Sequence, residues 1–453
     1  MRNTFLLSLI FFLIFNLLSA QPLEKGQAVV TFNVGPYAAK VIDVRYNSLA
    51  CTGTNWDATY CPPGAPLIQP PNWTTARMGA IFGVAIDADN GDMFFAASPL
   101  LVDLTIPVTV SSVGIIFKAK GSNFALSDFI VNNNTYGTYL GTNQISNQKE
   151  GLGDVAYDPL NDQLFATNLL DGKIYRITGL SNPTGTVVSV YDPFAADAGN
   201  ATYPVAALQR CWGVGFNVDN DGKPRVYFAR EIGLTGQSEI WSVELDGTGE
   251  FVGGTETFEF NGPNPGVRIT DLAFKPGDRM LLAERSGAHN SETWEAVGTH
   301  LAWILAKHLE VGEYTLWGSS DRDNTAGGVD YGYKQFAGDP DNLGECGELI
   351  WATSNAVRLD ALAIYGLSGI PASGYVGPYL SNAYMVDFDG SVVGGPYVKG
   401  DLGDVEIYRD PCDTRDICGS VGAVAKPEND PAAGECCWKF SLLNEYEDNY
   451  FSG

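Results

Sequence analysis

The sequence predicts an all-β fold, a β-propeller of six or seven blades, and three observations predict it. First, the stretch from Gly151 to Ile177, GLGDVAYDPLNDQLFATNLLDGKIYRI, holds three short apolar segments separated by two clusters of Asn, Asp, Gly and Pro. Segments of that length, rich in β-branched and aromatic residues and bounded by turn formers, read as strands of an antiparallel meander. Second, the same cadence returns along the chain. Third, the tetrapeptide Leu152-Gly153-Asp154-Val155 recurs unchanged as Leu402-Gly403-Asp404-Val405. One small meander cannot bury its apolar faces alone and must stack on neighbours, most commonly in a ring. A β-sandwich also repeats short strands, but it gives no reason for one tripeptide pattern to return at blade-like intervals.

In chain order, Ala28 to Val34 is one strand-like stretch, followed by a Cys- and Pro-rich loop; it is expected to complete the last blade and close the ring. Phe82-Gly83-Val84-Ala85-Ile86-Asp87, the turn Asp89-Asn90-Gly91-Asp92, Met93-Phe94-Phe95-Ala96 and Gly114 to Lys118 form one copy. The Gly151 stretch is the next. Trp212 to Phe216, Val226 to Ala229 and Glu239 to Val243 form a third, and Asp271 to Phe274 with Met280 to Ala283 begins a fourth. Asp360 to Ile364, followed by Ala383 to Val386, is read as the fifth, and Leu402 to Ile407 as the sixth. The spacing between the fourth and fifth is the longest, which is why a seventh blade stays open. Thr299 to Leu309 fits either an amphipathic helix or a buried strand, and periodicity does not separate them.

The ends have their own character. One basic residue, Arg2, precedes an apolar run from Phe5 to Leu18 and then Ser19-Ala20, the pattern of a secretory signal peptide over residues 1–20. The run is short for a membrane anchor, no later segment is apolar enough to span a bilayer, and the chain is expected outside the cell or at its surface. The propeller is assigned to residues 21–410. Residues 411–453 form a Cys-rich tail, or the start of a following module that is cut short. The sequence has 27 Lys and Arg against 53 Asp and Glu. Such acidity repels nucleic acid and anionic membranes. All eight cysteines lie beyond the apolar run, as suits an oxidising compartment. Cys51 with Cys61 and Cys412 with Cys418 each bracket a short loop and are expected to bond. Cys211 and Cys346 either pair across blades or stay as buried thiols. With no CxxC pair and three histidines, zinc is disfavoured.

The order Gly-Val-Ala-hydrophobic-Asp, turn, LFATNLLDGKIYRI resembles the repeat of NHL and SMP-30-type propellers. GLGDVAYD, LLAERSGAHN, NTAGGVDYGY and DLGDVEIY are similar to segments of large secreted bacterial cell-surface proteins in which a propeller precedes Ig-like or SdrD-B-like modules. The resemblance covers about residues 80 to 410 and implies a surface or adhesion-type protein that binds a carbohydrate, protein or matrix partner. The alternative it carries is a metal-dependent hydrolase or lactonase with its site in the central channel. Glu150, Asn168, Asp271 and Asp404 fit that metal pattern only loosely.

Aligning the repeats on Val84–Ile86, Val155–Tyr157, Val214–Phe216, Leu272–Phe274, Leu362–Ile364 and Val405–Ile407 places Asp154, Asp271 and Asp404 just before the first apolar residue, with Asp360 one residue earlier. On innermost strands these four carboxylates would approach the axis from different blades, as a hard cation such as Ca²⁺ requires. The competing reading is that each aspartate accepts backbone N–H bonds and fixes a turn within its own blade. Gly83 and Gly213 hold the same position in two other blades, so a carboxylate ring is incomplete. Asp87 to Asp92 imitates the start of a calcium loop but lacks the distal glutamate, and a β-hairpin explains it. Glu284 to Asn290 gathers Ser, His and acids, yet neighbours in sequence are not a triad.

Overall fold

Six sheets of four or five strands follow one another around an axis. The computed structural model describes residues 22–409 other than 34, 46–54, 58–66, 100–112, 195–204, 207–208, 232–236, 276–277, 287–290, 312–313, 317–318, 322–323, 334–345, 360–362, 374–383 and 388–401. The expected signal peptide, the Cys-rich tail, Cys51, Cys61, Cys412, Cys418 and Asp360 lie outside the described residues. Among the described residues no helix is long and apolar enough to cross a membrane.

The first four strands of each blade form an antiparallel meander, numbered from the innermost, and the fifth strand of blades 1 and 5 adds in parallel. Blade 1 begins with Ile81–Ile86 and Met93–Ala97, blade 2 with Leu152–Asp158 and Gln163–Asn168, and blade 3 with Cys211–Val218 and Pro224–Arg230. Blade 4 begins with Arg268–Lys275 and Arg279–Arg285, and blade 5 with Thr325–Tyr333 and Cys346–Leu359. In blade 6 the inner strand Leu402–Ile407 pairs with Gln27–Phe32 from the other end of the chain, so the early strand closes the ring as expected. Phe94, Phe165 and Tyr227 lie on second strands.

Two expectations are corrected or settled here. The fifth inner strand is Thr325–Tyr333, whereas Ile364 belongs to the third strand of that blade, Ala363–Pro371. The sequence TAGGVDYGY carries Asp330 where four other copies carry Ala or Gly, which interrupts the apolar segment and hid it. Within Thr299 to Leu309 the chain forms the strand Ile304–Leu309, outermost in blade 4, with alternating exposure that fits an edge.

The core sits between blades, and strand alternation explains why. On one second strand Phe94 packs with Phe129, Leu164 and Tyr175 toward blade 2, while the adjacent Phe95 packs with Val29, Val41 and Trp73 toward blade 6. Phe165 and Phe228 fill the next interface, Tyr227 and Leu282 the one after. Leu281 meets Tyr331 and Ile350 between blades 4 and 5, and Trp351 meets Val405 and Ala28 between blades 5 and 6. Strands covered on both faces carry continuous burial, as in Ile81–Ile86 and Gln163–Asn168. Each such large apolar side chain contributes about 1.5–3 kcal/mol on burial.

Candidate functional site

The inner strands begin with an alternation that the corrected fifth strand completes. Around the ring the aligned position reads Gly83, Asp154, Gly213, Asp271, Gly328, Asp404. Its cause is steric. A Cβ on Gly83 would lie 2.5 Å from Asp154 Oδ1, one on Gly213 2.8 Å from Asp271 N, and one on Gly328 2.5 Å from Asp404 Cα. Each glycine therefore leaves room for the aspartate of the following blade.

Each aspartate ties its blade to the one after it. Val214 N–H donates to Asp154 Oδ2 at 3.1 Å, Val329 N–H to Asp271 Oδ2 at 2.6 Å, and Val84 N–H to Asp404 Oδ2 at 3.0 Å. The other oxygens of Asp154 and Asp404 accept Val155 and Val405 N–H at 2.7 Å; Asp271 also accepts Leu272 N–H. Threonines of second strands add a parallel tie: Thr167 accepts Asp154 N–H and donates to Trp212 O, and Thr31 accepts Asp404 N–H and donates to Phe82 O. The aspartates thus staple neighbouring blades, which corrects the expectation of turns fixed within one blade.

The three carboxyls are buried and close enough to act on one another. Burial, then the charge of Asp271, holds Asp154 and Asp404 well above the ordinary carboxylate range. Burial pushes Asp271 up to about 7, against hydrogen bonds from Asp404 and Val329 N–H. A carboxyl–carboxyl bond between Asp271 and Asp404 requires a proton on one of them. A hard cation needs carboxylate lone pairs free to converge. Here they are spent on N–H groups and a shared proton, so the three do not fit Ca²⁺. Among the described residues no group of three or more His, Cys, Asp or Glu side chains is arranged to hold a metal.

Beyond this ring, where the inner strands end, the axis opens into a cavity of about 140 Å³ lined by all six blades. Its size follows from the middle residue of each aligned tripeptide, which is Ala85, Ala156, Gly215 and Ala273 in four blades. In the other two, side by side, it is Asp330 and Glu406. Arg409 pairs with Asp330 at 2.8 Å, and Asp330 also accepts Tyr331 and Ile407 N–H at 2.7 and 2.8 Å. Glu406 lines the cavity, is partly accessible, and accepts no hydrogen bond from any described residue. At the opposite end the axis is shut. Phe82, Leu169 and Trp212 cluster there, a Cβ on Gly327 of blade 5 would lie 3.4 Å from Phe82, and Arg285 sits over the Phe82 ring while donating to Leu402 O.

The remaining candidates have structural roles. Asn168 donates to Ser146 O and accepts from Asn147. Glu150 lies apart and partly exposed. Asp87 accepts Asp89 N–H and Asn90 Nδ2 in a hairpin whose Gly91 has φ +73°, so this loop is a turn. Glu284 is taken up by Asn264 and Glu292 N–H, and His289 lies outside the described residues. Cys211 is a buried free thiol whereas Cys346 is disulfide-bonded, so the two neither pair with each other nor both stay as thiols. Sequence reasoning missed Asp330, Glu406 and Arg409. The available signal was strand alternation, which puts Glu406 on the same face as Asp404.

No protein-family model matches the chain, and no curated protein matches it. Solved structures do. A nidogen/laminin complex aligns over 85% of this chain and 99% of that one, with 10% identity and a TM-score of 0.41. A thermostable family-43 glycoside hydrolase aligns over 70% and 96%, with 13% identity and a TM-score of 0.39. The PQQ-bound aldose sugar dehydrogenase of Streptomyces coelicolor aligns over 67% and 80%, with 12% identity and a TM-score of 0.34. The six-bladed ring rests on the strand pairing and not on these likenesses.

Proposed function

We propose that this chain is an exported, surface-located β-propeller that binds an extracellular partner and does no chemistry on it. The partner places a projecting group in the axial cavity beside Glu406. One observation carries the reading: the cavity is mainly apolar, walled by four small residues, and its Glu406 carboxyl accepts no hydrogen bond among the described residues, a combination suited to gripping a group. The channel hydrolase is the weaker reading, because the carboxylates it would use are engaged by backbone N–H groups.

Arrays of glycans and of extracellular-matrix proteins, probed with the purified chain and with Ala156→Phe, test this. Ala156 lines the cavity and is partly exposed, so the larger ring fills it. The expected result is a ligand class retained by the wild type and lost in a variant that melts normally. Chelator-sensitive hydrolysis of a lactone or ester panel by the wild type would overturn it in favour of the enzyme.

A further inference from the structure

The ligand class can be read from the charges around that cavity. Asp330 is satisfied three times over, by Arg409 and by two backbone N–H groups. Arg409 is close enough to act on Glu406, yet its guanidinium is directed at Asp330 and Phe274 O. Among the described residues Glu406 is therefore the acidic group of the wall whose hydrogen bonds are left to an occupant. A carboxylate in an apolar enclosure needs a donor, preferably a charged one.

We propose that the axial cavity accepts a primary ammonium on a short alkyl stem, of the kind a lysine side chain presents, with the ammonium on Glu406 and the stem against Val84, Ala85, Val155 and Ala156. Size agrees: an apolar cavity of roughly 150 Å³ holds one benzene-sized group, and this one measures about 140 Å³. Tyr157, Phe216 and Phe274 are aromatic members of the wall, a residue type that attracts cations. An anionic group would meet Glu406 and Asp330 together. The chain's formal charge of -26 favours cations at longer range.

The surroundings also predict a proton linkage. Burial, then Asp330, holds the Glu406 carboxyl well above its ordinary range; Asp271 and Asp154 add to this, and Arg409 opposes it. A bound ammonium favours the ionised form, so Glu406 gives up a proton on binding and affinity rises with pH.

This inference rests on the cavity being the binding site, and the test separates the two. The full chain is titrated calorimetrically with Nα-acetyl-lysine amide and with Nα-acetyl-norleucine amide, which has the stem without the ammonium, using wild type, Glu406→Gln and Ala156→Phe. The lysine probe is expected to bind about tenfold more tightly than the norleucine probe, an advantage lost in Glu406→Gln. Its binding should release protons and strengthen from pH 6 to 8, and Ala156→Phe should bind neither probe. Equal affinity for the two probes, with Ala156→Phe still blocking both, overturns the ammonium and leaves the cavity. No binding of either probe to wild type overturns the ammonium, and unchanged binding to Ala156→Phe overturns the cavity as well. Should Glu406→Gln fail to fold, the two probes on the wild type still decide.

Discussion

Asp404, in the last inner strand of the ring, accepts a hydrogen bond at 3.0 Å from Val84 N–H in the first, 320 residues away in sequence. The bond crosses the seam between blades 6 and 1, where the chain's two ends meet, and the same bond recurs from Asp154 to Val214 and from Asp271 to Val329. Closure thus uses the joint that holds blade 2 to blade 3 and blade 4 to blade 5.

Removing a staple should cost what two buried, unsatisfied N–H groups cost. Asp154→Ala strands Val155 and Val214 N–H and is expected to lower stability by about 2–5 kcal/mol. Asp154→Asn keeps one acceptor oxygen but turns an NH2 toward the other N–H, so its loss should be smaller than that of alanine without vanishing. Chemical denaturation of both variants checks this, and equal losses would contradict it.

Stability should fall as pH rises. Burial pushes Asp271 and Glu284 up to about 7, and Asp171 and Asp219 up to about 6, from ordinary values near 4. A carboxyl raised in the folded state contributes stability that is present below its unfolded pKa and is lost as pH passes its folded value. The melting temperature is expected to be highest in mild acid and to drop by at least about 5 °C between pH 5 and 8. Asp271→Asn should flatten that slope. Added calcium should leave the melt unchanged; a calcium-dependent rise that Asp154→Asn abolishes would restore the metal reading.

The glycines of the ring should not tolerate a side chain. Gly83→Ala and Gly213→Ala push a methyl against the next blade's aspartate and are expected to cost about 1–3 kcal/mol or more. Gly247→Ala, with nothing within 4 Å of the added atom, is the control and should be near neutral. Thermal melts of the three decide.

Thiol chemistry gives a further test. Burial raises the Cys211 thiol well above its ordinary range, so a thiol reagent should label it only after unfolding. Non-reducing peptide mapping should find Cys51 bonded to Cys61 and Cys412 to Cys418, each bond contributing roughly 2–3 kcal/mol. Free thiols at those four positions would remove the assignment.

The sequence by itself determined the blades and much of their order. Short β-branched and aromatic runs between Asn, Asp, Gly and Pro have one regular outcome, and alternation places Phe94 and Phe95 on opposite faces. Asp154, Asp271 and Asp404 were also legible as one aligned position. Their purpose was not, because a carboxylate aimed at the axis and one aimed at the next blade's N–H look the same along a single strand. Blade 5 was misread for a related reason. In TAGGVDYGY Gly328 makes room for Asp404, a requirement imposed by blade 6 and invisible within the strand. Only the tertiary structure decided the Gly–Asp alternation, the number of blades, and the isolation of Glu406 beside the Asp330–Arg409 pair. Each depends on distances between strands that ring closure brings together, and those distances have no counterpart in the spacing of residues along the chain.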